Sequence, residues 1–227
     1  VPIDRSLLSR GLAALGLPSE GELADRLARY LAEIELWNPA YGLVKASPEE
    51  LVTKHALDSL APLALIRSLL PAPAAASFGL PPRRPRLADL GTGAGLPGIP
   101  LALALPEVDV DLVDRMGKRI RFLENMAALL PLPNARVVQS EVERAAGPYD
   151  LVTFRAFRPF ERRLFASVFA LCDAEGAVVA YKGRKDKARE ELAEIEGLYA
   201  SAEILPIEVP MLAEERCAVV LRPARRG

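Results

Sequence analysis

One stretch of twelve residues, Leu87-Ala88-Asp89-Leu90-Gly91-Thr92-Gly93-Ala94-Gly95-Leu96-Pro97-Gly98, limits what this chain can become more than any other. An apolar strand runs into three glycines within five residues. Glycine accepts left-handed backbone angles that other residues resist, so the chain can turn tightly there, and a helix leaves the turn. Strand, glycine turn and helix together place a ligand at the carboxyl edge of a parallel sheet. The rest of the second half repeats that alternation. Strands are expected over Arg86–Leu90, Asp109–Val113, Ala135–Gln139, Tyr149–Phe154, Gly176–Tyr181, Glu203–Val209 and Arg216–Arg222. Helices are expected over Gly117–Leu130, Glu161–Leu171 and Lys185–Tyr199. This order argues a doubly wound α/β sheet covered on both faces. With 227 residues, 51% of them hydrophobic, the chain can bury about 70% of its unfolded surface without staples.

The first 70 residues read as helices instead. Ser19 with Glu22 has capping-box spacing, and Leu23, Leu27, Tyr30, Leu31 and Ile34 follow at helical intervals. Ser47-Pro48-Glu49-Glu50 is a second start signal. That helix carries Leu51, His55, Asp58 and Ser59 and runs on to Leu70, with a break or kink at Pro62. Five prolines and a triple alanine leave 71–85 without an apolar face. The expected organisation is a helical extension over 1–70, a linker over 71–85 and the α/β domain over 86–227.

Composition removes several classes. Twenty-nine Lys and Arg against 30 Asp and Glu leave a formal charge of −1, so nucleic-acid binding would have to come from local patches. Cys172 and Cys217 can make neither a disulfide framework nor a four-ligand zinc site, which suggests a reducing cytoplasm. No metal-ligand spacing is present, and no metal is expected. No apolar run reaches the about 20 residues of a membrane span. Val1-Pro2-Ile3-Asp4-Arg5 lacks a cationic segment followed by an apolar one, so no signal peptide is expected.

The turn then asks for its ligand. Gly93-Ala94-Gly95-Leu96-Pro97-Gly98 matches the dinucleotide fingerprint, with Asp114 twenty-one residues after Gly93. Yet the strand already ends at Leu90, so the turn begins at Gly91, and counted from there the third position is Leu96. Asp89 would also meet a pyrophosphate with a carboxylate. An acid suits S-adenosylmethionine better, since that molecule has an ammonium, a sulfonium and two ribose hydroxyls but no phosphate. On this reading Gly91, Gly93 and Gly95 let the methionine moiety approach, Asp114 accepts from the ribose, and Gln139-Ser140-Glu141-Val142-Glu143 lies where adenine is held.

A pyrimidine carbon would need a cysteine beside a proline, which neither cysteine has. An exocyclic amine is typically met by an Asn/Asp-Pro-Pro-aromatic turn, where this chain reads Thr153-Phe154-Arg155-Ala156-Phe157. Guanine N7 carries its own lone pair and needs alignment alone. Lys118 and Arg119, Arg155 and Arg158, and Lys182 and Arg184 follow successive strands, and Arg216 opens the last one. In a parallel sheet these strand ends share one edge, and a cationic rim there suits a phosphate backbone. His55 is the sole histidine, and Asp58 three residues on could orient it. On the residues alone, a methyltransferase acting on RNA, one acting on a protein or small molecule, and a non-catalytic RNA-binding module all remain open.

The chain closely resembles the family of ribosomal RNA small subunit methyltransferase G, also called glucose-inhibited division protein B. The matching segments are Trp37–Leu43, His55–Leu60, Asp89–Pro100, Leu112–Asp114 with Gly117–Arg119, Arg155–Phe157, Lys182-Gly183 and Glu215-Arg216. The resemblance implies a class I methyltransferase sheet of seven strands, the last antiparallel, with an N-terminal helical extension. It implies a bacterial cytoplasmic enzyme that uses S-adenosylmethionine to methylate N7 of one guanine in the decoding-region loop of 16S rRNA. The expected partner is 16S rRNA or the small ribosomal subunit, and a monomer is expected. By position, donor-binding residues fall on Gly91, Leu96, Val142, Glu143 and Arg155, with Asp114 at the ribose site. Active-site and RNA-side residues fall on His55, Asp58, Lys118, Arg119, Lys182 and Arg216. The chain departs from the family pattern at Gly42, Val44, Glu141 and Cys217.

Overall fold

The computed structural model describes residues 3–72 and 83–224. The N-terminal part contains α1 (Arg5–Ala14), α2 (Glu22–Tyr41), α3 (Pro48–Glu50), a π-helical segment (Leu51–Leu57), α4 (Asp58–Leu60) and α5 (Leu63–Leu69). Then come β1 (Arg86–Leu90), α6 (Gly98–Ala104), β2 (Asp109–Asp114), α7 (Gly117–Leu129), β3 (Ala135–Gln139) and a 3-10 turn (Val142–Arg144). The chain closes with β4 (Tyr149–Arg155), α8 (Arg162–Ala170), β5 (Cys172–Lys182), α9 (Lys185–Glu194), β6 (Tyr199–Pro206) and β7 (Cys217–Pro223).

The strands form one sheet in the order β3-β2-β1-β4-β5-β7-β6. Neighbours among β1–β5 pair parallel, while β7 runs antiparallel to both β5 and β6. Chain order reverses between β1 and β4, and a ligand crevice opens at such a switch point. Alternate strand residues serve opposite faces. Leu87, Val110, Leu112, Leu151 and Val179 pack against α6, α7 and the N-terminal helices. Ala88, Leu90, Val152, Phe154 and Val178 pack against α8 and α9. The N-terminal helices therefore share the sheet's own core: Leu27, Tyr30, Leu31 and Ile34 are fully buried in it.

Several local expectations need correction. Ser19 does not cap α2: Gly21, at φ 81°, precedes the helix, with no side-chain cap bond. The helix after Ser47 has its capping box, but it is π-helical over Leu51–Leu57 and stops at Leu60 before Pro62. α9 ends at Glu194, not Tyr199. Gly197 turns the chain at φ 82°, and Tyr199 already opens β6. The expected linker falls mostly outside the described residues. Its last stretch is fastened by Arg83 to Asp150 at 3.1 Å and by Arg84 to Asp109 at 2.7 Å.

Candidate active site

The turn after β1 has left-handed backbone at Gly91 (φ 65°), Gly93 (φ 61°) and Gly95 (φ 91°). The three glycines do different work. A Cβ on Gly95 would strike Ile99 at 2.5 Å, so that glycine serves packing. A Cβ on Gly91 would strike the Phe157 ring at 2.2 Å. Gly93 has open space beside it, its nearest atom being Gly91 O at 3.8 Å, and this is the glycine that leaves room for a ligand. Leu96 is buried just beyond and lines the same side.

Two acids hold the turn. Asp89 is wholly buried; its Oδ2 accepts from Thr92 Oγ1 at 2.6 Å and from Gly98 N at 2.8 Å. Burial raises its carboxyl to about 7. Its other oxygen, Oδ1, has no hydrogen-bond partner among the described residues. Asp89 was expected to face the donor's cationic groups; it lies instead beneath the turn and ties its two ends together. Asp114 accepts from Gly93 N at 3.0 Å, Met116 N at 2.9 Å and Arg119 Nη1 at 3.2 Å. It thereby couples the turn to the start of α7.

Two clefts meet at this edge. One, of about 1030 Å³, is lined by Asp114, Met116, Val142, Glu143 and Phe157. The other, of about 610 Å³, lies under the N-terminal helices and is lined by His55, Asp58, Arg155, Lys182 and Arg216. Gly91, Arg119 and Ala156 line both. Ala156 holds positive φ, 46°, although it has a Cβ, so the backbone is strained at the divide.

The second cleft is organised around one guanidinium. Arg155, at the end of β4, donates from Nη1 to Lys54 O at 2.9 Å and to Asp58 Oδ2 at 2.8 Å. Its Nη2 lies 2.9 Å from His55 Nδ1. Arg216 donates from Nε to Asp58 Oδ1 at 3.0 Å. Asp58 is thus spent on two arginines; it positions Arg155, and Arg155, not Asp58, meets the histidine. The resemblance grouped Arg155 with the donor-binding residues, whereas its side chain turns to the helical extension. Burial first, then the Arg155 charge, lowers His55 to about 4, so the ring is neutral at ordinary pH. The π-helical stretch puts Lys54 O, His55 and Asp58 within reach of the same guanidinium, and π-turns recur at functional sites.

The other cationic positions divide. Arg119 reaches both clefts. Lys182 lines the His55 cleft, but its Nζ bonds Glu191 at 2.5 Å and sits 4.2 Å from the Phe160 ring centroid. Lys118 lies outside both clefts, with Nζ 2.5 Å from Ala40 O and 5.2 Å from the Tyr41 ring centroid. Sequence reasoning missed Lys54, which pairs with Glu50 at 3.0 Å and Glu214 at 2.7 Å, and Tyr30, whose hydroxyl donates to Ala94 O at 2.7 Å. Neither carries a local signal, because each partner lies far along the chain or within an ordinary helix.

Compared with known proteins, residues 23–220 match the family described as rRNA small subunit methyltransferase G. The chain belongs to this family. Ribosomal RNA small subunit methyltransferase G of Paracidovorax citrulli is 37% identical over 97% of this chain and 90% of that protein. The same enzyme of Stenotrophomonas maltophilia is 40% identical over 94% and 92%. Among solved structures, magnesium protoporphyrin IX methyltransferase from Synechocystis has the same fold, with TM-score 0.55 and 16% identity over 89% of this chain and 98% of that one. Membership makes the chain an rRNA methyltransferase with S-adenosylmethionine as donor, on the class I sheet.

Proposed function

We propose that the chain methylates N7 of a guanine in the decoding-region loop of 16S rRNA, with the donor in the Asp114 cleft and the base in the His55 cleft. The observation that carries this is the meeting of the two clefts at Gly91, Arg119 and Ala156. S-adenosylmethionine would supply an electrophilic methyl group: the N7 lone pair forms the new N–C bond as the sulfonium S–C bond breaks, the electron pair stays on sulfur in S-adenosylhomocysteine, and no proton has to leave N7. The residues fit that donor. Asp114 offers an acidic acceptor and Val142 and Glu143 wall the far end, while Gly93, on the His55 side of the shared edge, leaves space for the methionine end of the donor. Gly91 and Ala156 keep the dividing wall thin, so donor and acceptor can approach.

His55 and Arg155 orient the base, and because no base catalyst is needed, a neutral imidazole suffices there. Lys118, Arg119 and Arg216 stand toward the RNA backbone, with Lys182 held against Glu191 and Phe160 as part of the wall. Residues 1–70 form the acceptor-side extension and 86–227 the donor-binding domain. The enzyme works as a monomer in the cytoplasm, on rRNA alone or on the assembled small subunit.

The test is nucleoside mass spectrometry of 16S rRNA from cells with and without the gene, joined to transfer by the purified protein. The expected product is 7-methylguanosine. A methylated pyrimidine or adenine, or no gene-dependent product, overturns the reading.

A further inference from the structure

The contact between Arg155 and His55 decides more than position. A guanidinium carries only donors. With Arg155 Nη2 at 2.9 Å, His55 Nδ1 must present its lone pair, and the proton of the neutral ring sits on Nε2. Arg155 cannot rotate away cheaply, since Lys54 O and Asp58 hold its other arm. The histidine lines the cleft, and among the described residues its Nε2 is neither hydrogen-bonded nor a buried, unpartnered atom, which leaves its N–H open to an occupant of the cleft.

The surroundings say what that donor can meet. Arg119, Arg155, Lys182 and Arg216 bring further donors to the cleft. The carboxylates there are engaged: Asp58 by Arg155 and Arg216, and Glu50 by Ser47 N and Lys54. An occupant that presents acceptors is favoured. The edge of guanine that contains N7 also presents the O6 carbonyl, whereas adenine places an amine beside N7. We infer that His55 determines base identity by donating from Nε2 to the O6 carbonyl beside the reacting N7, and that Arg155 is the positioning residue that fixes this tautomer. The inference rests on the proposed guanine-N7 reaction. The charged groups that face the ring agree with it. Arg155 from β4, Arg216 before β7 and Lys54 on its own segment disfavour an imidazolium, and Glu50 alone opposes them. A neutral ring also avoids repulsion with a base that becomes cationic as N7 is methylated.

Two measurements test this. The chain has one histidine, so nitrogen-15 NMR of the full protein reads this ring alone. A neutral ring with its proton on Nε2 is expected through pH 6, and Arg155→Lys should admit the other tautomer. A proton on Nδ1, or an imidazolium at pH 7, overturns the inference whatever any variant does. In the second arm, small subunits are reconstituted with 16S rRNA containing guanine or 2-aminopurine, which lacks O6, at the target position. The parent protein should favour guanine, and His55→Leu should cut that kcat/KM ratio by about tenfold, the worth of one lost hydrogen bond. An unchanged ratio refutes the role of His55. Failure of the parent to yield 7-methylguanosine refutes the underlying reaction instead, and the NMR result separates the two.

Discussion

Removing the carboxylate of Asp58 should destabilise the protein far more than removing a typical surface acid. Asp58 is 5% exposed and pairs with Arg155 at 2.8 Å and Arg216 at 3.0 Å. The two arginine side chains are 14% and 23% exposed, so Asp58→Ala leaves Arg155 without its counterion and Arg216 with Glu214 alone, at 3.6 Å. Breaking a buried pair from one side costs about 3–5 kcal/mol. The partial exposure of Arg216 favours the lower end, about 3 kcal/mol. For a chain of this length each kcal/mol moves the midpoint by about 2–4 °C, which gives a fall in Tm of about 6–12 °C. Asp58→Asn retains an acceptor and should fall between. Asp186→Ala, which breaks an exposed pair with Arg184, should leave the midpoint nearly unchanged. Differential scanning calorimetry at neutral pH reads all three. If Asp58→Ala melts within about 2 °C of the parent, the two arginines do not depend on its carboxylate.

Gly93→Val has room for its Cβ but strains the left-handed backbone there, so it should lower Tm and abolish S-adenosylmethionine binding by calorimetry; unchanged affinity in a folded variant would remove Gly93 from the donor site. Asp89 should make stability depend on pH. Its folded value, about 7, exceeds that of the unfolded chain, so its contribution is present in acid and lost as pH rises through 7. Asp89→Asn should flatten the fall in Tm between pH 4 and 7, and an identical slope in both proteins would contradict the burial argument. Lys118→Ala should lower the slope of log RNA affinity against log salt by about one unit, or somewhat less on a single-stranded loop. Lys185→Ala and Arg189→Ala, on α9, should not, and equal effects at all three would mean diffuse attraction.

Local chemistry made the sheet legible. β1 and β3 lie where their apolar runs end, and the glycine turn announces both its own geometry and its ligand. Boundaries that depend on a single glycine were harder: Gly197 ends α9 five residues before the apolar pattern does, and Gly21 displaces the cap expected at Ser19. The candidate site was legible as a set of residues but not as a set of contacts. Arg155 and His55 are a hundred residues apart, and nothing near either one says that the arginine stands between His55 and Asp58. Asp89 reads as a ligand because it is acidic and ends a strand; only packing shows that it lies below the turn.

The π-helical stretch over Leu51–Leu57 has a consequence for how this protein can change. Deleting one residue there would restore an ordinary α-helical ladder and swing everything beyond the deletion by about 100° relative to what precedes it. His55 and Asp58 could then no longer both face Arg155. Local helical regularity and the site pull in opposite directions along this one segment. Such a deletion would break the Asp58 pairs as well, so both the melting midpoint and the site depend on the extra residue.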